Sequence, residues 1–133
     1  RFMGFLDKIT KAFTGEDTLS EENGVWNIIS TNEELEAILL ASNERTQVVF
    51  KHSPSCGVSY FALRHLNDPQ LFENNEIDLH LIDVINQRSL SMDFAMRVGV
   101  RHESPQIFVV KDGEVKWHAS HNSVNAKNVL EHI

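Results

Sequence analysis

The sequence predicts an α/β fold, a central mixed sheet flanked by helices, and three observations predict it. From residue 25 onward, short β-branched apolar runs alternate with segments of helical periodicity. Near the end, Asp112-Gly113 separates two such runs, and because both positions tolerate positive φ the last two strands should pair antiparallel. With 133 residues and 41% hydrophobic content, the chain can bury one modest core without disulfides or metal.

The elements follow in order. Phe5, Ile9, Ala12 and Phe13 recur at helical spacing and predict a short amphipathic helix ending near Gly15. Residues 15–24 (GEDTLSEENG) are acidic, polar and bounded by glycines, which suits a linker. The expected organisation is an N-terminal helix and linker over residues 1–24 and a folded domain over residues 25–133. Residues 25–29 read as a first strand. Ser30 and Glu33 fit a capping box, opening a helix with Leu35, Ile38 and Leu39 on its apolar face and Asn43 at its end. Residues 47–51 (QVVFK) are a strand, followed by a loop and a helix expected to bury Val58, Phe61, Ala62 and Leu66. Residues 77–85 form the next strand, then Leu90, Phe94 and Val98 mark one side of a helix that Gly99 caps. Residues 107–111 and 114–118 flank the hairpin turn, and Ala126, Val129, Leu130 and Ile133 close the chain as an amphipathic helix. This β-α-β-α-β-α-β-β-α order is that of the thioredoxin-like architecture.

Bulk properties exclude several function classes. A net charge of −7 repels nucleic acid and anionic membrane surfaces, leaving small molecules and other proteins as expected partners. No apolar run approaches the roughly 18 residues of a membrane span, and no signal-peptide pattern opens the chain. A single cysteine permits no internal disulfide, and its exposure would be a liability in an oxidising compartment, so a cytoplasmic location is expected.

The chemistry centres on that cysteine. Residues 53–59 (SPSCGVS) leave a strand and enter a helix, so the Cys56 sulfur should lie near unsatisfied amide groups. Helix N-termini lower a thiol pKa from about 8.5 towards roughly 3.5–7.5, and the thiolate is the nucleophile. The competing reading is a buried, inert cysteine acting as a small hydrophobe. Ser59 stands where a dithiol motif has its resolving cysteine, so a mixed disulfide on Cys56 would need an external thiol for release; it also reads as a plain small helical residue. Ser104-Pro105 precedes a strand, and only about 5–6% of X-Pro bonds are cis, so composition leaves trans open while the α/β context favours cis. Lys51, His52 and His102 either raise the local positive potential or are ordinary solvated side chains. His118 and His121 are spaced at i and i+3, but one cysteine and no clustered carboxylates argue against a metal site.

Three blocks carry a resemblance to the YtxJ family of monothiol bacilliredoxins, thioredoxin-like proteins tied to the thiol bacillithiol. Residues 51–59 (KHSPSCGVS) resemble the family's KHSxxCPIS stretch, residues 100–106 (VRHESPQ) its VKHESPQ loop, and residues 112–117 (DGEVKW) with His121 its closing hairpin and turn. The resemblance implies that Cys56 is the nucleophile and that Ser55, Gly57, Val58, Ser59, Glu103, Ser104 and Pro105 border the substrate. It also implies bacillithiol or another low-molecular-weight thiol as co-substrate, with no bound cofactor, and S-thiolated proteins as clients. Gly57 departs from the family's proline, which frees the helix start and adds an N–H near the sulfur. Glu103 opposes a thiolate if it points inward, unless it recognises an amino group of the thiol co-substrate. The expected activity is removal of such a thiol from protein mixed disulfides, and the alternatives are transfer involving glutathione or a redox-inert thioredoxin-like binding or chaperone module.

Overall fold

A computed structural model describes residues 25–133; the expected N-terminal helix and linker, residues 1–24, lie outside the described residues. The strands are β1 (Asn27–Ile28), β2 (Thr46–His52), β3 (Ile77–Asp83), β4 (Gln106–Lys111) and β5 (Glu114–Ser120). The helices are α1 (Asn32–Ala41), α2 (Gly57–His65), α3 (Pro69–Phe72), α4 (Arg88–Val98) and α5 (Ala126–Leu130), with a 3-10 turn at His121–Ser123. One mixed sheet runs β1-β3-β2-β4-β5. Its β1 and β2 lie parallel to β3, β4 is antiparallel to β2, and β5 is antiparallel to β4.

Because β2 is central, both its faces are covered, and alternation sends successive side chains into two different cores. Val48 and Phe50 pack with Ala62, Leu63 and Leu66 and with Val129, whereas Val49 packs with Ile38, Leu39, Phe94 and Phe108. The same alternation puts Lys51 on the α1/α4 side and His52 on the α2 side. Burying either core side chain set removes roughly 1.5–3 kcal/mol per large residue from water before entropy is counted.

Several boundaries differ from the sequence expectation for identifiable reasons. The first capping box is shifted by one residue: Thr31, not Ser30, is the N-cap, with its hydroxyl accepting from Glu34 N at 3.2 Å and Glu34 Oε1 accepting from Thr31 N at 3.1 Å. Ser30 and Glu33 fail as a pair because Glu34 also takes the Ser30 N–H, at 2.7 Å. The α2 helix is rotated relative to expectation. Ser59, Ala62, Leu63 and Leu66 face the sheet, while Val58 and Phe61 are exposed, at 47% and 63%. A helix can bury only one such i, i+3, i+4, i+7 stripe, and Ser59 holds its first position. The short α3 was not anticipated; Asp68 caps it by accepting from Gln70 N at 2.8 Å, and Pro69 stands at its first turn.

Other signals are realised as read. Gly99 ends α4 in the left-handed region at φ 74°, a conformation that disfavours any residue with a Cβ. Asp112 and Gly113 take φ 54° and 77° between β4 and β5, the two positive values that a two-residue hairpin turn needs. Among the described residues no helix is long and apolar enough to cross a membrane.

Candidate thiol site

The β2 strand ends at His52, and its register with β4 places Lys51 opposite Gln106. Residues 53–56 therefore leave the sheet at the same end at which residues 101–105 enter it. Cys56 is the N-cap of α2, with extended φ and ψ of −115° and 124°. Its thiol is free and half-buried, and makes no capping hydrogen bond to the helix. The backbone around it is well fixed: Cys56 N donates to Ser53 O at 3.0 Å, and Cys56 O accepts from Ser59 N at 3.1 Å and Tyr60 N at 3.2 Å. Cys56 thus heads α2 at the junction of the loop and the helix.

The neighbours expected at the site divide into surface and interior groups. Ser55, Gly57 and Val58 are exposed beside Cys56. A Cβ built on Gly57 would meet nothing within 4 Å, so space alone does not require glycine there. Ser59 is fully buried; its hydroxyl accepts from Ser53 N at 2.9 Å and lies 2.7 Å from His52 Nδ1. Its contacts are with protein groups rather than the surface.

On the facing loop, the Ser104-Pro105 peptide bond is cis, and Pro105 O accepts from His121 N at 3.0 Å. Pro105 is buried, and the Ser104 hydroxyl oxygen is buried with no hydrogen-bond partner among the described residues. Gln106 braces the loop from the sheet, its side chain accepting from Glu103 N and donating to Arg101 O, both at 3.0 Å. Glu103 turns its carboxylate towards β5, where the Ser120 hydroxyl donates to it. That hydrogen bond, together with the positive charge of His121, Arg101 and His118, holds the Glu103 carboxyl below the usual range.

Lys51 and His52 are not solvated, contrary to one sequence reading; both are fully buried. Burial pushes Lys51 down to about 8 and His52 down to about 4, the nearby Asp83 opposing the His52 shift in part. His52 is therefore uncharged at neutral pH and supplies no positive potential to the thiol, and Lys51 lies on the other face of the sheet. Sequence reasoning missed Ser91, Gln106 and Ser120 as partners of these loops. The available signal was in β2 itself, where a lysine and a histidine end a continuous apolar run and must be buried on opposite faces. Among the described residues no group of three His, Cys, Asp or Glu side chains is placed to hold a metal ion.

A five-stranded thioredoxin-type sheet, one free thiol heading a helix, a serine three residues on and a facing proline loop define a monothiol enzyme of thiol–disulfide exchange. Residues 27–129 match the model of the monothiol bacilliredoxin BrxC family, and the chain belongs to that family. Among solved structures, it is similar to a candidate oxidoreductase with a thioredoxin fold, at 29% identity and a TM-score of 0.72, covering 83% of this chain and 95% of that one. It also shares its fold with the thioredoxin of Fasciola hepatica, at 18% identity and a TM-score of 0.62, over 78% of this chain and 92% of the other. Mitochondrial thioredoxin 3 of Saccharomyces cerevisiae aligns at 15% identity with a TM-score of 0.63, over 84% and 95% of the two chains. The protein is a thiol–disulfide oxidoreductase that acts on thiols and thiolated proteins.

Proposed function

We propose that the protein removes bacillithiol, or a closely similar low-molecular-weight thiol, from mixed disulfides on client proteins, with Cys56 as the nucleophile. The observation that carries this reading is a free, partly accessible thiol at the N-cap of α2, in a chain with no second cysteine. The Cys56 thiolate attacks the low-molecular-weight sulfur of the client's mixed disulfide. The old S–S bond breaks, the client cysteine leaves as a thiolate and takes a proton from solvent, and a new S–S bond joins Cys56 to the small thiol. No electrons are gained or lost overall in this exchange. A second small thiol then attacks that bond, restoring Cys56 and releasing a small disulfide. Ser55, Gly57 and Val58 border the small thiol on one side and the loop of Glu103, Ser104 and Pro105 on the other, and the reducing cytoplasm is the compartment such a lone thiol suits.

The test is intact mass after mixing the protein with a bacillithiolated client. Cys56 should gain one bacillithiol while the client returns to its reduced mass, and the adduct should persist until a free thiol is added. Restoration of the client at the wild-type rate by Cys56→Ser would replace this reading with that of a binding module.

A further inference from the structure

We infer that Ser59 and His52 are positioning residues, a buried latch that holds the Cys56 loop in its exchange-competent geometry. The inference rests on Cys56 being the nucleophile. Its basis is the way one hydroxyl joins three parts of the site. Ser59 belongs to the first turn of α2, Ser53 to the loop and His52 to the last position of β2. The Ser59 oxygen accepts the Ser53 N–H at 2.9 Å and meets His52 Nδ1 at 2.7 Å, closing a ring of chain that has Cys56 within it. Removing the hydroxyl would leave a partly buried amide and a buried imidazole nitrogen without this partner at once.

The imidazole is itself held firmly. Its carbonyl accepts from Val84 N at 2.9 Å, fixing the residue to the sheet. Its ring stacks on Phe50 at 5.6 Å and meets the edge or face of Tyr60 at 4.8 Å, with planes 89° apart. With the Ser53 N–H on one lone pair of Ser59 Oγ, the hydroxyl pairs with His52 Nδ1 in either neutral tautomer of the ring, whose other nitrogen is Nε2. That nitrogen is buried without a partner among the described residues. A protonated His52 would bury a charge in the interior, so the latch is built for a neutral ring. With Ser53 and Ser59 fixed, the two hydrogen bonds Cys56 N to Ser53 O and Ser59 N to Cys56 O set the direction of the cysteine between them. The position that a dithiol enzyme gives to a second thiol is here occupied by the group that orients the first.

The test measures Cys56 alkylation by iodoacetamide at pH 7, a readout independent of bacillithiol, beside thermal unfolding of each variant. Ser59→Ala and His52→Ala should each slow alkylation about tenfold or more, whereas Ser59→Thr and His52→Asn, which keep a hydrogen-bonding atom at the same place, should recover most of the rate. Leu39→Ala, a core truncation on the opposite face of the sheet, should lower thermal stability without slowing alkylation. The latch is overturned if Ser59→Ala alkylates at the wild-type rate, or if Leu39→Ala slows the reaction as much as Ser59→Ala does. Should the alanine variants not fold, the comparison of His52→Asn with His52→Leu, which fills the site but offers no hydrogen-bonding atom, decides in the same way. A wild-type thiol that resists iodoacetamide would instead sink the proposed nucleophile, which separates the two failures.

Discussion

The Lys51 ammonium lies 3.0 Å from His102 Nδ1 and 3.0 Å from the Ser91 carbonyl oxygen, inside the core between α4 and the sheet. Two aromatic rings flank it, Phe108 at 5.5 Å and Phe94 at 5.9 Å from the nitrogen to the ring centroids. This contact ties the end of β2 to the loop that carries Pro105, from the face of the sheet opposite Cys56. His102 must accept at Nδ1 to take the lysine proton, and its pKa is accordingly lowered by burial and then by the Lys51 and Arg88 charges.

Lys51 predicts a stability change at alkaline pH. Burial brings it down from 10.5 to about 8, so between those values the unfolded chain holds a proton that the folded one has released. Stability contributed by this group therefore rises as pH increases from about 8 to 10.5, by up to roughly 3 kcal/mol. Urea unfolding at pH 7.5 and 10 should show the rise in the wild type and a much flatter profile in Lys51→Met. Equal slopes in the two proteins would remove the assignment.

The acid limb should belong to His52. Its value falls from 6.5 to about 4, chiefly through burial, so below pH 6.5 the unfolded chain binds a proton that the fold refuses. Stability should fall as pH drops from about 6.5 to 4, by up to roughly 3 kcal/mol from this residue, with His102 adding in the same direction. Asp78 enters only at lower pH, because its carboxyl is held below its ordinary 3.8, the hydrogen bonds and charge of Arg45 and the Gln47 amide outweighing burial. His52→Asn should lose less stability than the wild type between pH 7 and 4.5 in parallel urea titrations.

Gln106 is expected to govern the order of the facing loop. It is buried and spans from Glu103 N to Arg101 O, so Gln106→Leu leaves a backbone donor and an acceptor unanswered. A loss of about 1–3 kcal/mol should follow. Hydrogen exchange at residues 101–104 should speed up in this variant far more than exchange in β3, and uniform acceleration across the sheet would argue against a local brace.

The order of the main elements was legible because each carries a local signal, as the Gly99 cap and the Asp112-Gly113 turn show. The position of Cys56 at a helix start was likewise readable from the switch between a strand run and helical spacing. The facing of α2 was not, since Val58 and Phe61 make as good an apolar stripe as Ala62 and Leu63 until the sheet is present to choose between them. The stripe that is buried includes Ser59, whose hydroxyl finds partners there in Ser53 N and His52 Nδ1. Partners distant in sequence, such as Lys51 with His102 and Ser120 with Glu103, depend on strand register and have no local signature. The capping box was misplaced by one residue because Ser30-Glu33 and Thr31-Glu34 satisfy the same pattern.

Ser59→Cys separates the two jobs of the position. A thiol three residues beyond Cys56, at the first turn of the same helix, has the spacing of a dithiol motif, so it should attack the Cys56 mixed disulfide and release the small thiol as an internal disulfide forms. The buried hydroxyl is lost in the same change, and with it the strong hydrogen bonds to Ser53 and His52. The first exchange with a bacillithiolated client should therefore slow, while the adduct should no longer wait for added thiol. Mass spectrometry over the time course reads both effects: the wild type should accumulate the adduct, and the variant should pass to a species lighter by two hydrogens than its reduced form. Persistence of the adduct in Ser59→Cys would show that this position cannot reach the Cys56 sulfur, and would leave the residue with its positioning role alone.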